Sequence, residues 1–404
     1  MKHLFLILLW TLTQTAWSQV KAEFSGNLEA QSRHSWNGQA AKDLTLLDNG
    51  IPPQDWDQSE FDLIYGNLSG KLEFKESRLE SNFFARYSNS SLYRNDTYIS
   101  PLIFNFPNKL VAREMFNLQN DQQGDRSRTE YVLNKFFYEW HYSDHRFAAG
   151  RIYVNYGVGE IFNPINPFNQ PTGLTAISQV AQGNDGLNFT FYKNDQHTIN
   201  FYFLGDKSLQ GYKGQIDKTL WAHGEYQWSD QLQLDYVIGE DQKRHKAGGQ
   251  VRYNLSEAMI FMQTLYQTRF TDDLDGNQSH HLWDVMLGFD QQMSNKWHLR
   301  AEGGHQKRNK FATSFFNDRF LPSEYFIALS NQYEIHPLVK LGGTIINDIK
   351  TGFTYFITRN TYSFGESSEA ELFAYIPMAK GSGIENQAQK LVTTDVGVAL
   401  RTFF

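Results

Sequence analysis

The chain has 404 residues, 15% of them aromatic, no cysteine, and 37 Lys and Arg against 44 Asp and Glu, a net charge of −7. The missing cysteine excludes a disulfide framework, thiol catalysis and Cys-ligated metal, and the acidic balance argues against a nucleic-acid-binding surface. A mean hydropathy of −0.53 would suit one or two soluble domains, yet in a transmembrane β-barrel the lipid-facing and lumen-facing residues alternate and cancel.

Lys2 and His3 give a positive start, Leu4 to Leu12 an apolar run, and Ala16-Trp17-Ser18 a small-x-small cleavage site before Gln19. That is the layout of a secretory signal peptide, too short to cross a bilayer as a helix, with an uncleaved anchor as the alternative. Residues 1–18 are therefore set apart, and 19–404 are read as one folded unit. Beyond Ser18 no apolar run approaches the roughly 18–20 residues a transmembrane helix needs.

Alternating segments then follow one another. They predict strands near 22–34, 61–74, 78–88, 129–142, 145–155, 186–193, 196–205, 218–229, 231–240, 246–255, 257–270, 281–293, 296–306, 323–332, 337–346, 352–361, 369–378 and 391–404. Long connections at 35–60, 89–128, 156–185, 206–217, 271–280, 307–322 and 379–390 alternate with tight turns such as Ser143-Asp144 and Ser294-Asn295. Short periplasmic turns alternating with long extracellular loops are the asymmetry of outer-membrane barrels. The ten prolines fall between strands or at a strand end, as a hydrogen-bonded ladder requires, and the aromatics suit interfacial girdles. The predicted fold is all-β: a transmembrane antiparallel up-and-down barrel of about eighteen strands, both ends periplasmic. Losing a hairpin near 241–245, 347–351 or 362–368 would leave sixteen, and a β-sandwich is the competing fold.

Period two assigns the faces. Ile64, Leu68, Leu72 and Phe74 face lipid, and so do Leu232, Leu234, Tyr236 and Ile238, leaving Asp235 inside. Leu299, Ala301 and Gly303 outward leave Arg300 and Glu302 in the lumen. By the same rule Leu79, Phe83 and Ala85 outward turn Arg86 inward, and Val132, Phe136, Tyr138 and Trp140 outward turn Lys135 and Glu139 inward. Ile152, Val154 and Tyr156 outward leave Arg151, Tyr153 and Asn155 inside. Arg or Lys on the lipid face near midplane would cost about 2–4 kcal/mol, so the charges belong to a wet lumen of both signs.

Eighteen strands enclose an aqueous channel unless something narrows it. Residues 156–185 are less charged than the other long loops and carry apolar groups to bury, with a modestly helical stretch from Leu174 to Ala181. They are expected to fold into the barrel, with Glu160 meeting Arg86, Lys135, Glu139 and Arg151, or else to cap the outer mouth. The last strand places Val396, Val398, Leu400, Thr402 and Phe404 on one face, resembling the signal read by bacterial barrel-insertion machinery.

Gly150-Arg151-Ile152-Tyr153-Val154-Asn155-Tyr156-Gly157, continuing to Asn163-Pro164 and Pro167-Phe168-Asn169, resembles a motif of porin-like barrels of the alginate-export type. Asn166 stands where that family often has Asp. The resemblance implies an outer-membrane pore with an inward loop after the fifth strand, and implies no particular solute.

Enzymatic signatures are missing: there is no Gly-x-Ser-x-Gly, His-Glu-x-x-His or phosphate-cradling glycine loop, although a dispersed lipid-facing Ser–His pair stays open. His280-His281 beside Asp272, Asp273 and Asp275 is read as solvated loop rather than metal site, since adjacent strand residues face opposite ways. No cofactor or catalytic residue is expected. The acidic excess in outer loops (Asp43, Asp48, Asp55, Asp57 and Glu60) serves either solubility and cation bridging to lipopolysaccharide or a cation-enriching vestibule. Two functions remain: a channel for small polar solutes in the outer membrane of a Gram-negative-type bacterium, expected as a monomer with trimerisation open, or a surface receptor, adhesin or closed scaffold using loops 35–60 and 89–128.

Overall fold

The computed structural model describes residues 21–36, 58–90, 111–113, 119–123, 127–166, 168, 183–207, 216–241, 244–270, 279–306, 325–349, 352, 354–377 and 394–404. The predicted leader, the stretch 174–181 and most of the long outer loops lie outside the described residues.

Twenty strands are described. In the first half they are β1 Lys21–Trp36, β2 Gln58–Glu73, β3 Ser77–Ser90, β4 Val111–Arg113, β5 Gln119–Gln123, β6 Ser127–Tyr142, β7 His145–Tyr153, β8 Gly183–Asn194, β9 His197–Lys207 and β10 Ile216–Gln227. The second half holds β11 Leu232–Asp241, β12 Arg244–Leu255, β13 Ala258–Phe270, β14 Ser279–Ser294, β15 Trp297–Gln306, β16 Tyr325–His336, β17 Val339–Asp348, β18 Thr354–Ser363, β19 Ser368–Pro377 and β20 Thr394–Phe403. All but the short β4 and β5 form one antiparallel wall. In it β3 pairs directly with β6, and β1 meets β20 from Asn27↔Phe403 to Trp36↔Thr394. The wall is thus a closed barrel of eighteen strands. The hairpins that would have to be lost for sixteen are all formed, β11 with β12, β17 with β18 and β18 with β19.

Closure follows from backbone chemistry, because unpaired N–H and C=O groups in hydrocarbon are each worth several kcal/mol. At the seam Gly26 N–H donates to the Phe404 carbonyl at 2.8 Å and Phe404 N–H to the Gly26 carbonyl at 3.0 Å. The tight turns sit at one end of the wall, two of them holding serines in the left-handed region (Ser143, φ 48°; Ser256, φ 47°). Trp140, Tyr142, Trp228, Trp297 and Phe364 lie exposed near these turns, as an interfacial girdle would.

Exposure is inverted relative to a soluble protein. Ile64, Leu68, Ile238 and Leu287 point outward and are exposed, while Glu29, Asp235, Gln263, Arg300 and Glu302 point inward and are buried. Simple alternation fails in β6. In β6, Asn82 pairs with Lys135 but Phe83 pairs with Leu133, so Asn134 is an extra residue. Such a bulge shifts the phase by one: Val132, expected to face lipid, is fully buried beside its inward partner Phe84, and Tyr131 faces out instead. In β7, Gly150 has φ 127°, and a Cβ there would lie 2.3 Å from the Phe136 carbonyl oxygen. Alternation runs on through Gly150 from the outward Phe147 and the buried Ala148, so Ile152, Val154 and Tyr156, expected to face lipid, are instead buried in an interior apolar cluster.

Deleting Phe404 removes both seam bonds to Gly26. The expected outcome is loss of the heat-modifiable, fast-migrating species on gels while export across the inner membrane continues.

Candidate functional site

The site begins where the chain leaves the wall. β7 follows β6 only as far as Phe136↔Arg151 and β8 as far as Tyr153↔Gly183. Higher up, β5 takes over the vacated edge of β6, from Gln119↔Val132 to Gln123↔Arg128. Side chains replace ladder bonds in between. The Arg151 guanidinium donates Nη1–H to the Leu133 carbonyl of β6 at 2.8 Å, and Nε–H and Nη2–H to the Asp185 carboxylate of β8 at 2.6 and 2.9 Å. The Asn134 side-chain oxygen accepts the Gly183 N–H at 3.2 Å. Arg151 and Asp185 are 1% and 0% exposed. Arg151 therefore bridges the two strands that flank β7, and it stands opposite the outward-facing Phe136 rather than among the inward residues of β7.

Residues 154–166 then cross the interior. On the near side Tyr156 stacks on His223 of β10 (centroids 4.1 Å apart), and Phe168 meets Trp221 edge-on. Two asparagines close the crossing segment on itself. Asn163 Nδ2–H donates to the Tyr156 carbonyl at 2.7 Å, and Asn166 accepts the Phe168 N–H at 3.2 Å. Gly157, φ 82°, passes so near that a Cβ would lie 2.4 Å from Asn163 Oδ1.

The far side is β12 to β16, with seven strands separating β7 from β15 in one direction and nine in the other. Glu302 of β15 accepts the Glu160 N–H at 2.7 Å, the Ile161 N–H at 2.9 Å and the Phe162 N–H at 3.4 Å. Gln250 of β12 accepts the Val158 N–H at 3.2 Å, and Arg300 donates to the Val158 carbonyl. Ile161 and Phe162 pack into a second apolar cluster with Phe261, Met286, Phe326 and Phe373. The loop thus lands on an apolar patch of an otherwise polar inner face.

The predicted site residues are spread over several places in the barrel. Arg86 is buried facing inward. Lys135 ion-pairs with Glu80 and lies over the Phe137 ring, and Glu139 takes Arg78 at 2.9 Å and His141 at 2.7 Å. Tyr153 is half-buried and Asn155 exposed where the chain turns inward. Asp235 is held by Gln233 at 2.8 Å and by Gln250. Arg300 binds Asp290 and Glu302, each at 2.7 Å, and Glu160 lies 3.4 Å away with its side chain 58% exposed. Enclosure within the barrel pushes the Glu160 carboxyl above the usual carboxylate range, and Arg300 opposes this only in part.

Asn134, Asp185, Gln250 and Asp290 were not singled out from the sequence, because nothing local marks them. At the seam Arg401 joins Glu29 of β1 to Glu369 and Glu371 of β19. Among the described residues no group of His, Asp and Glu could hold a metal ion. His281 instead stacks on Tyr266, while Asp272, Asp273 and Asp275 lie outside the described residues.

No protein-family model and no curated protein matches the sequence. Solved structures share the fold. OccAB4 of Acinetobacter baumannii aligns over 96% of this chain and 98% of that one, with TM-score 0.58 and 9% identity. OccD3 (OpdP) of Pseudomonas aeruginosa aligns over 94% and 91% with TM-score 0.55 and 9% identity, and OccK7 (OpdD) of the same organism over 95% and 98% with 0.54 and 9%.

Removing one member of a buried ion pair is destabilising by about 3–5 kcal/mol, whereas replacing both with apolar groups is often neutral. Asp185→Ala should therefore lower the unfolding midpoint of the barrel in urea, with Arg151→Met/Asp185→Leu recovering most of the loss.

Proposed function

We propose that the protein is an outer-membrane channel for small polar solutes, narrowed by the segment that crosses its lumen. The observation that carries this reading is the crossing itself. A barrel serving only to anchor outer loops has no need to lead a strand out of its wall, fill the notch with a buried ion pair and pin the segment to the opposite side. An apolar exterior around a charged, polar inner face supports the reading, as does the width enclosed by eighteen strands. The leader, the shared fold and the aromatic girdle support an outer-membrane setting among lipid and lipopolysaccharide, and the last strand, ending at Phe404, supports delivery by the barrel-insertion machinery. The likeness of residues 150–169 to alginate-export-type barrels concerns the path of this segment and carries no solute with it.

Glu160 projects into the lumen beside Arg300 and Asp290. Fixed charges of both signs at a constriction order water and sort polar solutes. A receptor or closed scaffold is the rival reading, and conductance separates the two. In planar bilayers the protein should conduct, and deleting residues 159–166 should raise its conductance. A folded barrel that does not conduct, or a deletion without effect, would overturn the channel.

The raised carboxyl of Glu160 takes up its proton at a higher pH than an ordinary carboxylate. As pH falls, the reversal potential in a salt gradient should therefore move toward anions before ordinary carboxylates titrate. Glu160→Gln should show the shifted potential at neutral pH and lack this early step.

A further inference from the structure

Resting on the channel reading, we propose that Glu302 and Arg300 act as a latch, positioning residues that hold the crossing segment against the far wall. The sequence pattern offers them as pore-lining charges, but Glu302 is 2% and Arg300 5% exposed, both beneath the segment. Their partners are backbone groups. Three consecutive N–H groups, from Glu160, Ile161 and Phe162, converge on the two carboxylate oxygens of Glu302. Successive backbone N–H groups of this kind form an anion-binding concavity, and here the anion is supplied by the wall.

A buried carboxylate needs a counter-charge and filled lone pairs. Arg300 supplies the charge through Nε at 2.7 Å, is steadied by Asp290, and reaches the Val158 carbonyl with its other arm. One wall strand thereby holds both the donors and an acceptor of the segment tip. Charge-assisted bonds of this kind are about twice as strong as neutral ones, whereas the apolar contacts of Ile161 and Phe162 are non-directional and would let the tip slide. Because the latch grips backbone, changes of side chain at 160 leave it intact while altering what a solute meets.

The test uses the full-length barrel with Glu302→Gln, which keeps the volume beneath the segment, and Glu302→Ala. Both should raise single-channel conductance toward that of the protein lacking residues 159–166, and both should speed amide hydrogen exchange at 160–162. The chain contains no cysteine, so E160C/E302C carries the only thiols. Bridging them with a cleavable bifunctional thiol reagent should restore the low conductance, and cleaving the bridge should raise it again. Unchanged conductance and unchanged exchange in both Glu302 variants would overturn the latch. Faster exchange in a barrel that never conducts would keep the latch and overturn the channel.

Discussion

A chain that passes through hydrocarbon must pair every backbone N–H and C=O within itself, and that requirement shapes each unusual feature of this molecule. It closes the wall at Gly26 and Phe404. It also makes the departure of β7 expensive, since a strand that leaves the wall strands the edges of both neighbours. Several devices among the described residues meet the difficulty. Arg151 reaches to the Leu133 carbonyl, Asn134 bulges to accept the Gly183 N–H, and β5 resumes pairing along β6. The buried Arg151–Asp185 pair is thus a backbone substitute, which explains a full charge pair in so dry a position.

Once outside the wall, the segment faces the same requirement in a wetter place and meets it differently. Its own amides serve it on the near side, through Asn163 and Asn166. On the far side it depends on Gln250, Glu302 and Arg300 from strands far from it in sequence. Apolar packing at both ends removes water from these bonds and strengthens them. The charges that remain in contact with the lumen, above all Glu160, are then held on a fixed support. The seam shows the same economy, with Arg401 tying together acidic groups of β1 and β19 across the closing strand.

Much of the wall was legible from the order of residues. Period two and turn rhythm located all eighteen wall strands, because each must bury backbone locally and show lipid a run of alternate apolar side chains. The inward placement of Asp235, Arg300 and Glu302 followed from the cost of the alternative. Val132, Ile152, Val154 and Tyr156, apolar at alternate positions, read as lipid-facing and are buried inside. The extra residue Asn134 has no signature in hydropathy, since a residue that resets the phase looks like any other member of the strand, and in β7 apolar residues that face the interior cluster look the same as ones that face lipid.

What the sequence by itself determined is an antiparallel barrel of about eighteen strands and the polarity of its two faces, consequences of local periodicity under one global rule of backbone pairing; that the hairpins deciding eighteen against sixteen all form was settled by the structure. Only the tertiary structure decided where each charge acts. Glu302 is separated from the amides it binds by about 140 residues, and Arg151 from Asp185 by 34. Whether a lumen-side charge meets solute, wall or loop depends on which strands stand opposite one another once the sheet has curled shut, and no local pattern records that.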